Sequence, residues 1–384
     1  MGTSLRPWGW NCTIQSCHKT GADAIIRRKF FLFPGKTGPG SMEDIKLKLR
    51  RIIGVLLCLA LCLGMLSGCG GEKRYSGEFY GAFDTVVIVT AYCASQEEFD
   101  GLFSQTEEEL LRLSRFYDIY VPYEGVTGLY QLNQKAGQGP VEVEPEVMEL
   151  LLFARECYDR TGGVVNVAMG SVLSIWHEAR EQAAEEPEKA QLPSQEALSQ
   201  AAEHCRIEDL VLDEEAGTAE LRDSQMSLDV GAVAKGFAVQ RVTESLMESG
   251  YENFVISAGG NVQAQGAPPE KEGWSVGIED PQQAGELIDT VTITSQAVVT
   301  SGGYERFYTV DGERYHHIID PETLYPAQRM LSATVICDDG ALADCLSTSL
   351  FLMEPEEALE FARSQGARVI LVTLDGQVLD TQEK

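Results

Sequence analysis

The stretch LDVGAVAKGFA, from Leu228 to Ala238, decides how this chain is read. A strand-like lead (MSLDV) gives way to a turn of small residues, and a helical pattern starts near Ala234. Such a turn lets backbone approach a ligand closely, and the first helical turn offers free N–H groups and a positive dipole end to an anion. Lys235 adds a side-chain charge at the same place, beside Asp229 and the carbonyl of Ala232. The Walker pattern GxxxxGK[ST] is absent. Taken alone, the string reads equally well as a tight strand-to-helix turn with a surface lysine.

Further strings lie downstream. SGGYERFYTVDGERYHHIIDP, from Ser301 to Pro321, combines glycine amides, the Arg306 guanidinium and two adjacent imidazoles. Histidine is the usual base for activating a hydroxyl. Strand alternation turns His316 and His317 to opposite faces, so only one is expected in a given site. A solvent-facing His316 or a histidine metal site are the alternatives. ALADCLSTSLFLM, from Ala341 to Met353, reads as a helix burying Leu346, Leu350 and Phe351. Asp344 and Thr348 are one turn apart on one face and could give two oxygen ligands to a hard cation such as Mg²⁺. The plain alternative is an aspartate favouring the helix dipole beside a neutral threonine. SAGGN, from Ser257 to Asn261, is a further glycine turn after a strand.

In this order the strings resemble the ApbE family of FAD:protein FMN transferases, over roughly residues 79–375. The family pattern runs D-x-x-A-x-x-K-G, SAGGN, SG-x-YER, H-I-I-D-P and A-D-x-x-S-T, and each part stands here intact. The resemblance implies an α+β fold of largely antiparallel sheets packed with helices, with FAD in a central cleft and Mg²⁺ on its pyrophosphate. By position, the metal ligands would be the Ala232 carbonyl, Asp344 and Thr348. Asp229, Lys235 and Ile318 would contact FAD, and His317 would be the base. Looser correspondences put Phe83 at a family flavin position, Tyr120 at the aromatic flavin contact, and Val164-Val165-Asn166 where the family has Ala-Phe-Asp. Leu324 replaces a family glycine. The implied reaction moves FMN from FAD to a Ser or Thr hydroxyl of an acceptor protein and releases AMP. The acceptor would be a redox-complex subunit or an extracytoplasmic flavoprotein. Hydrolysis of FAD to FMN and AMP, or flavin binding without catalysis, are the alternatives.

Composition bounds the rest. A net charge of −29 leaves no basic face for nucleic acid. It also disfavours adhesion to anionic lipid. Five of the ten cysteines (Cys93, Cys157, Cys205, Cys337 and Cys345) lie in the globular part, without a CxxC pair. Neither a disulfide framework nor a zinc site is expected, and Cys345 reads as core.

At the N-terminus, Lys46, Lys48, Arg50 and Arg51 precede an apolar run that ends Leu66-Ser67-Gly68-Cys69. A basic region, a short apolar region and small residues before the cut describe a secretory signal. The run falls short of the ~20 residues a spanning helix needs. Residues 42–68 are therefore expected to be a lipoprotein signal peptide with Cys69 lipidated, on the extracytoplasmic face of a bacterial membrane. Residues 1–41 read as a mis-assigned leader, 69–78 as a polar tether and 79–384 as the flavin transferase domain. Within that domain, Phe79–Tyr92 reads as one strand, Ser95–Leu113 and Glu144–Thr161 as helices, and Phe116–Gly137 as an aromatic loop. Glu178–Gln200, rich in Glu, Ala and Gln, reads as a solvated excursion. The irregular mixture of helices and strands favours α+β over a doubly wound sheet.

Overall fold

The computed structural model describes residues 71–382. Residues 1–41, the expected signal peptide over 42–68 and Cys69 lie outside the described residues.

The chain opens with β1 (Lys73–Ala82) and β2 (Thr85–Cys93), followed by α1 (Gln96–Tyr117), α2 (Leu129–Gln134), β3 (Val141–Glu142) and α3 (Pro145–Arg160). Next come α4 (Gly170–Glu185), α5 (Gln195–Ala202), β4 (Leu210–Asp213), β5 (Thr218–Leu221) and α6 (Ala234–Glu248). Strands β6 (Phe254–Ala258), β7 (Asn261–Gln265), β8 (Trp274–Glu279), β9 (Leu287–Ile293), β10 (Ala297–Gly302), β11 (Phe307–Val310), β12 (Glu313–His316) and β13 (Met330–Cys337) come one after another. The chain closes with α7 (Gly340–Phe351), α8 (Pro355–Ser364), β14 (Arg368–Thr373) and β15 (Val378–Asp380).

Eight strands form the main sheet in the order β1-β2-β6-β7-β10-β13-β14-β15, every neighbour antiparallel. The period of two sends Val87, Val89, Ile256, Ala258, Ala297, Val299, Val335 and Val369 to one face, where helices cover them. On the other face Val262, Ala264, Val298 and Ile336 meet Trp274, Ile278, Val291 and Ile293 of the β8–β9 hairpin. The helix-covered face carries three polar positions in its middle: Asn261 opposite Val299, Gln263 opposite Ala297, and Ser301 on β10. Asn261 and Gln263 are buried with side-chain polar atoms that have no hydrogen-bond partner among the described residues. Polar groups left that way inside a sheet–helix layer cost free energy, and they mark where the layer is built for something other than packing.

Four stretches differ from the sequence expectations. The 69–78 tether is largely strand, because β1 starts at Lys73 and pairs with β2 along its length. The single strand over Phe79–Tyr92 is a hairpin, turned at Phe83 and Asp84, both left-handed (φ 53° and 51°). A two-residue turn with both positions left-handed matches the twist of paired strands. The 116–137 loop contains α2. The 178–200 excursion is mostly helical: α4 runs on to Glu185, and α5 buries Leu198 in a cluster with Trp176, Tyr308 and Ile319.

Candidate active site

The Leu228–Val233 turn is fixed from below before it meets any ligand. Asn133 on α2 clamps Leu228, its Oδ1 accepting from the Leu228 N–H at 2.8 Å and its Nδ2 donating to the Leu228 carbonyl at 3.0 Å. The Asp229 N–H donates to the Val167 carbonyl at 2.8 Å. Asp229 Oδ1 accepts from the Gly231 N–H at 2.8 Å, closing the turn locally.

The start of α6 is capped from another helix. Gly236 is the third residue of α6, and like the other N–H groups of a first helical turn its N–H has no carbonyl partner within the helix. It donates to Asp344 Oδ2 on α7, at 2.7 Å. Among the described residues no donor reaches the Ala232 carbonyl. The bond from Gly236 orients the Asp344 carboxylate at the start of α6. Asp344 is buried and has no ion-pair partner among the described residues. Burial pushes its carboxyl above the ordinary carboxylate range, while Lys235 and the Gly236 N–H pull the other way. Thr348, one turn along α7, has its hydroxyl 3.3 Å from Ser301 Oγ, while Ser301 is bonded to Ser347 at 2.8 Å. No three His, Cys, Asp or Glu side chains gather as a metal cage among the described residues. A hard cation here would have to use one carboxylate plus carbonyl and hydroxyl oxygens, which suits Mg²⁺. A buried carboxylate without an ion-pair partner, and a carbonyl at Ala232 that no donor among the described residues reaches, fit such an ion.

Lys235 reaches across to the Gly259 carbonyl at 2.7 Å. Gly259 and Gly260 are left-handed (φ 47° and 80°), and a Cβ on Gly259 would stand 2.3 Å from the Thr85 hydroxyl. The Phe83–Asp84 turn is thereby carried against the same corner. The Phe83 N–H donates to Ser114, and its ring leans on Tyr117 at 6.4 Å.

The two histidines stand at the end of β12, which His316 closes and His317 follows, so strand alternation does not govern the second ring. His316 is held at both ring nitrogens, Nε2 donating to the Ala327 carbonyl at 2.7 Å and Nδ1 accepting from the Ile318 N–H at 3.2 Å. Its ring also meets Phe351 edge-on. His317 has only Nδ1 engaged among the described residues, 3.3 Å from the Arg306 carbonyl. With the proton on Nδ1, Nε2 keeps its lone pair. Burial, then Arg306 and His316, hold this imidazole down at a pKa of about 3. Asp320, a conceivable substitute base, is occupied: it accepts from the Glu322 and Thr323 N–H groups and pairs with Arg329.

Other expected contacts are placed differently. Tyr120 is half-exposed (52%) and stacks on His177 at 4.5 Å, consistent with an aromatic platform. The Asn166 amide is used up inside the fold, donating to the Cys205 carbonyl and accepting from the Ala168 N–H. Val165 is buried and Val164 packs against the α7–α8 cluster, so this segment would offer a ligand backbone rather than side chains. Ile318 is likewise buried, its carbonyl accepting from the Ala327 N–H. All five cysteines of the described part are free thiols; Cys93, Cys157 and Cys345 are buried, whereas Cys205 and Cys337 are partly exposed. Sequence reasoning missed His177 and Arg180 on α4, whose only signal was helical spacing inside a polar stretch. It also missed Gly236 as the donor that orients Asp344.

An antiparallel sheet capped by two helices, with a buried carboxylate, hydroxyls and a lysine at their junction, defines an α+β protein. The chain belongs to the ApbE family, whose model matches residues 83–371. A relative from Treponema pallidum named FAD:protein FMN transferase is 30% identical, covering 81% of this chain and 87% of its own length. One of the same name from Haemophilus influenzae is 32% identical over 84% and 93%. The crystal structure of an ApbE protein from Thermotoga maritima superposes with a TM-score of 0.72 at 27% identity, over 81% of this chain and 97% of that one.

Proposed function

We propose that this protein is an FAD:protein FMN transferase that moves FMN from FAD to a Ser or Thr hydroxyl of an acceptor protein and releases AMP. The observation that carries the reading is the bond from the Gly236 N–H to Asp344, which fixes a buried carboxylate against the start of α6, where no donor among the described residues reaches the Ala232 carbonyl. Together with Thr348 they would hold Mg²⁺. The ion, when bound, neutralises the diphosphate and stabilises the leaving phosphate. In the reaction, the acceptor oxygen forms a bond to the phosphorus of the FMN half, the bond from that phosphorus to the bridging oxygen breaks, and AMP departs with the bridging oxygen. His317 Nε2 takes the hydroxyl proton, its ring steadied through Nδ1 by the Arg306 carbonyl. Lys235, tethered to Gly259, supplies positive charge beside the turn. Tyr120 offers an aromatic face to the flavin. The test is incubation with FAD, Mg²⁺ and a candidate acceptor, read by in-gel flavin fluorescence and AMP release. Asp344→Ala should abolish both while the circular dichroism stays native. AMP without a labelled acceptor would mean that water replaces the protein hydroxyl.

Membrane placement rests on residues outside the described part. Cys69, after Leu66-Ser67-Gly68, would carry the lipid that holds the domain on the extracytoplasmic face of the membrane. Among the described residues no helix is long and apolar enough to cross a membrane. Cys69→Ser should release the processed protein from membranes, since acyl chains supply ~0.8 kcal/mol per buried methylene. Retention of the processed variant on membranes would end the anchor reading.

A further inference from the structure

Arg180 takes no part in binding the metal or moving the proton, yet it sits where the site converges. It lies one turn beyond His177 on α4 and donates from Nη2 to His177 Nδ1 at 2.8 Å. That imidazole in turn stacks on Tyr120, with an interplanar angle of 27°. The guanidinium is thus drawn toward the site's aromatic platform. It is partly buried and makes no ion pair among the described residues, in a chain with 59 acidic residues against 30 basic ones. A partly desolvated cation without a carboxylate, where carboxylates are in such excess, is a group waiting for an anion. Arg306 is a second cation of the site, although an exposed one. Its carbonyl steadies His317, and its side chain has no ion-pair partner among the described residues. The charge of Arg180 is felt at His317, Tyr120 and Asp229, and that of Arg306 at the first two. Those three residues come from three separate parts of the chain.

We propose that Arg180, oriented by His177 and acting with Arg306, is an anion-binding residue for the diphosphate of the substrate, forming a cationic pole in addition to Lys235 and the metal. This rests on the flavin-transfer reading and extends it. A guanidinium suits the task because its planar fork engages two phosphate oxygens at once. His177 is a positioning residue here, because it fixes the arginine on one side and Tyr120 on the other. The arrangement places the phosphates next to the free Nε2 of His317. An arriving dianion would also offset the arginine contribution to that imidazole's lowered pKa, of which burial is the main cause.

The test is equilibrium binding of FAD, by flavin fluorescence, in EDTA so that the metal pole is silent. Wild type would be compared with Arg180→Gln, Arg180→Lys, Arg306→Gln and, as a control, Arg314→Gln, whose guanidinium lies over Phe307. Loss of a charge-assisted hydrogen bond should weaken FAD binding about ten- to a hundredfold in Arg180→Gln and Arg306→Gln. Arg180→Lys should fall between, Arg314→Gln should match wild type, and the affinity of wild type should drop with added salt more steeply than that of Arg180→Gln. Unchanged FAD affinity in Arg180→Gln, with wild type binding FAD normally, would overturn the assignment and leave the transferase reading intact. Failure of wild type to bind FAD even with Mg²⁺ would instead remove the transferase reading. Should Arg180→Gln not fold, Arg180→Lys decides the matter: affinity and salt dependence equal to wild type would refute a forked phosphate contact.

Discussion

Gly236→Ala is the sharpest perturbation of this site, because it adds one methyl where two helices share a hydrogen bond. The new Cβ would stand 2.4 Å from the Asp344 Cβ, 2.6 Å from the Gly340 carbonyl and 3.0 Å from the Asn261 amide nitrogen. Two of these neighbours are backbone or the root of a side chain, so neither can swing aside. Helices α6 and α7 must separate instead. Overpacking of this kind costs about 1–3 kcal/mol, which in a domain of this size lowers the melting temperature by roughly 2–12 °C, at ~2–4 °C per kcal/mol. The functional loss should be much larger. Separation lengthens the 2.7 Å bond from the Gly236 N–H to Asp344 and shifts the carboxylate, and a displacement of ~1 Å in a catalytic constellation is worth about a hundredfold in rate. The assay pairs a thermal melt with a Mg²⁺ titration of AMP release. A variant still folded at 37 °C should need more Mg²⁺ and turn over on the order of 10²-fold more slowly. Wild-type Mg²⁺ dependence and rate, alongside a lowered melting temperature, would show that the α6–α7 contact is packing and nothing more.

The same geometry sets three other expectations. His317→Ala should slow transfer by roughly 10²–10⁴-fold with FAD binding retained, whereas His316→Ala should mainly lower stability, since both nitrogens of that ring are already bonded; the reverse ranking in single-turnover rates would exchange their roles. Because burial and Arg306 keep His317 neutral down to about pH 3, its folded-state pKa lies below the unfolded one. Its contribution to stability is then fully present above ~6.5 and is lost as pH falls toward the folded value. In an NMR titration of the ligand-free protein its imidazole should show no protonation near pH 6, and a normal titration there would mean that the ring is solvated and free of Arg306. Leu324→Gly would relieve a left-handed leucine (φ 61°) worth about 1–2 kcal/mol. It would also empty a buried position against Trp176, where large-to-small changes cost about 2–5 kcal/mol, so urea unfolding should show net destabilisation despite the family glycine.

How much of this could be read in the residues depended on whether the cause was local. The helix carrying Asp344 and Thr348 announces itself through apolar spacing, and the strand-to-helix turn at Asp229 through its small residues; both lie where expected. The hairpin at Phe83–Asp84 was hidden because its two left-handed positions hold neither Gly nor Asn, and β-rich sequence runs through it without a break. Strand β1 was hidden because its edge position leaves most of its side chains at the surface, so KRYSGEF reads as polar linker. The excursion after Trp176 was misread for a related reason. Its charged face is real, but one buried leucine and the tyrosines of β11 and β12 are enough to dock it, and its docking delivers His177 and Arg180.

The feature with the largest consequence had no local signal at all. The Gly236 N–H, a first-turn donor with no acceptor in its own helix, finds its acceptor 108 positions away. The glycine is legible as a glycine, but its reason is the approach of α7, which only the assembled sheet imposes. The same sheet explains why Asn261 and Ser301 sit beneath Asp344 and Thr348: β7 and β10 are neighbours, and alternation turns both residues toward the helices. Asn261 then has buried amide atoms with no partner of their own among the described residues. Such atoms are tolerated where a site must hold its ligands' positions before the ligand arrives. The two strings that drew attention in the sequence, Leu228–Ala238 and Ala341–Met353, therefore act as one device, joined by a single hydrogen bond between a glycine amide and a buried carboxylate.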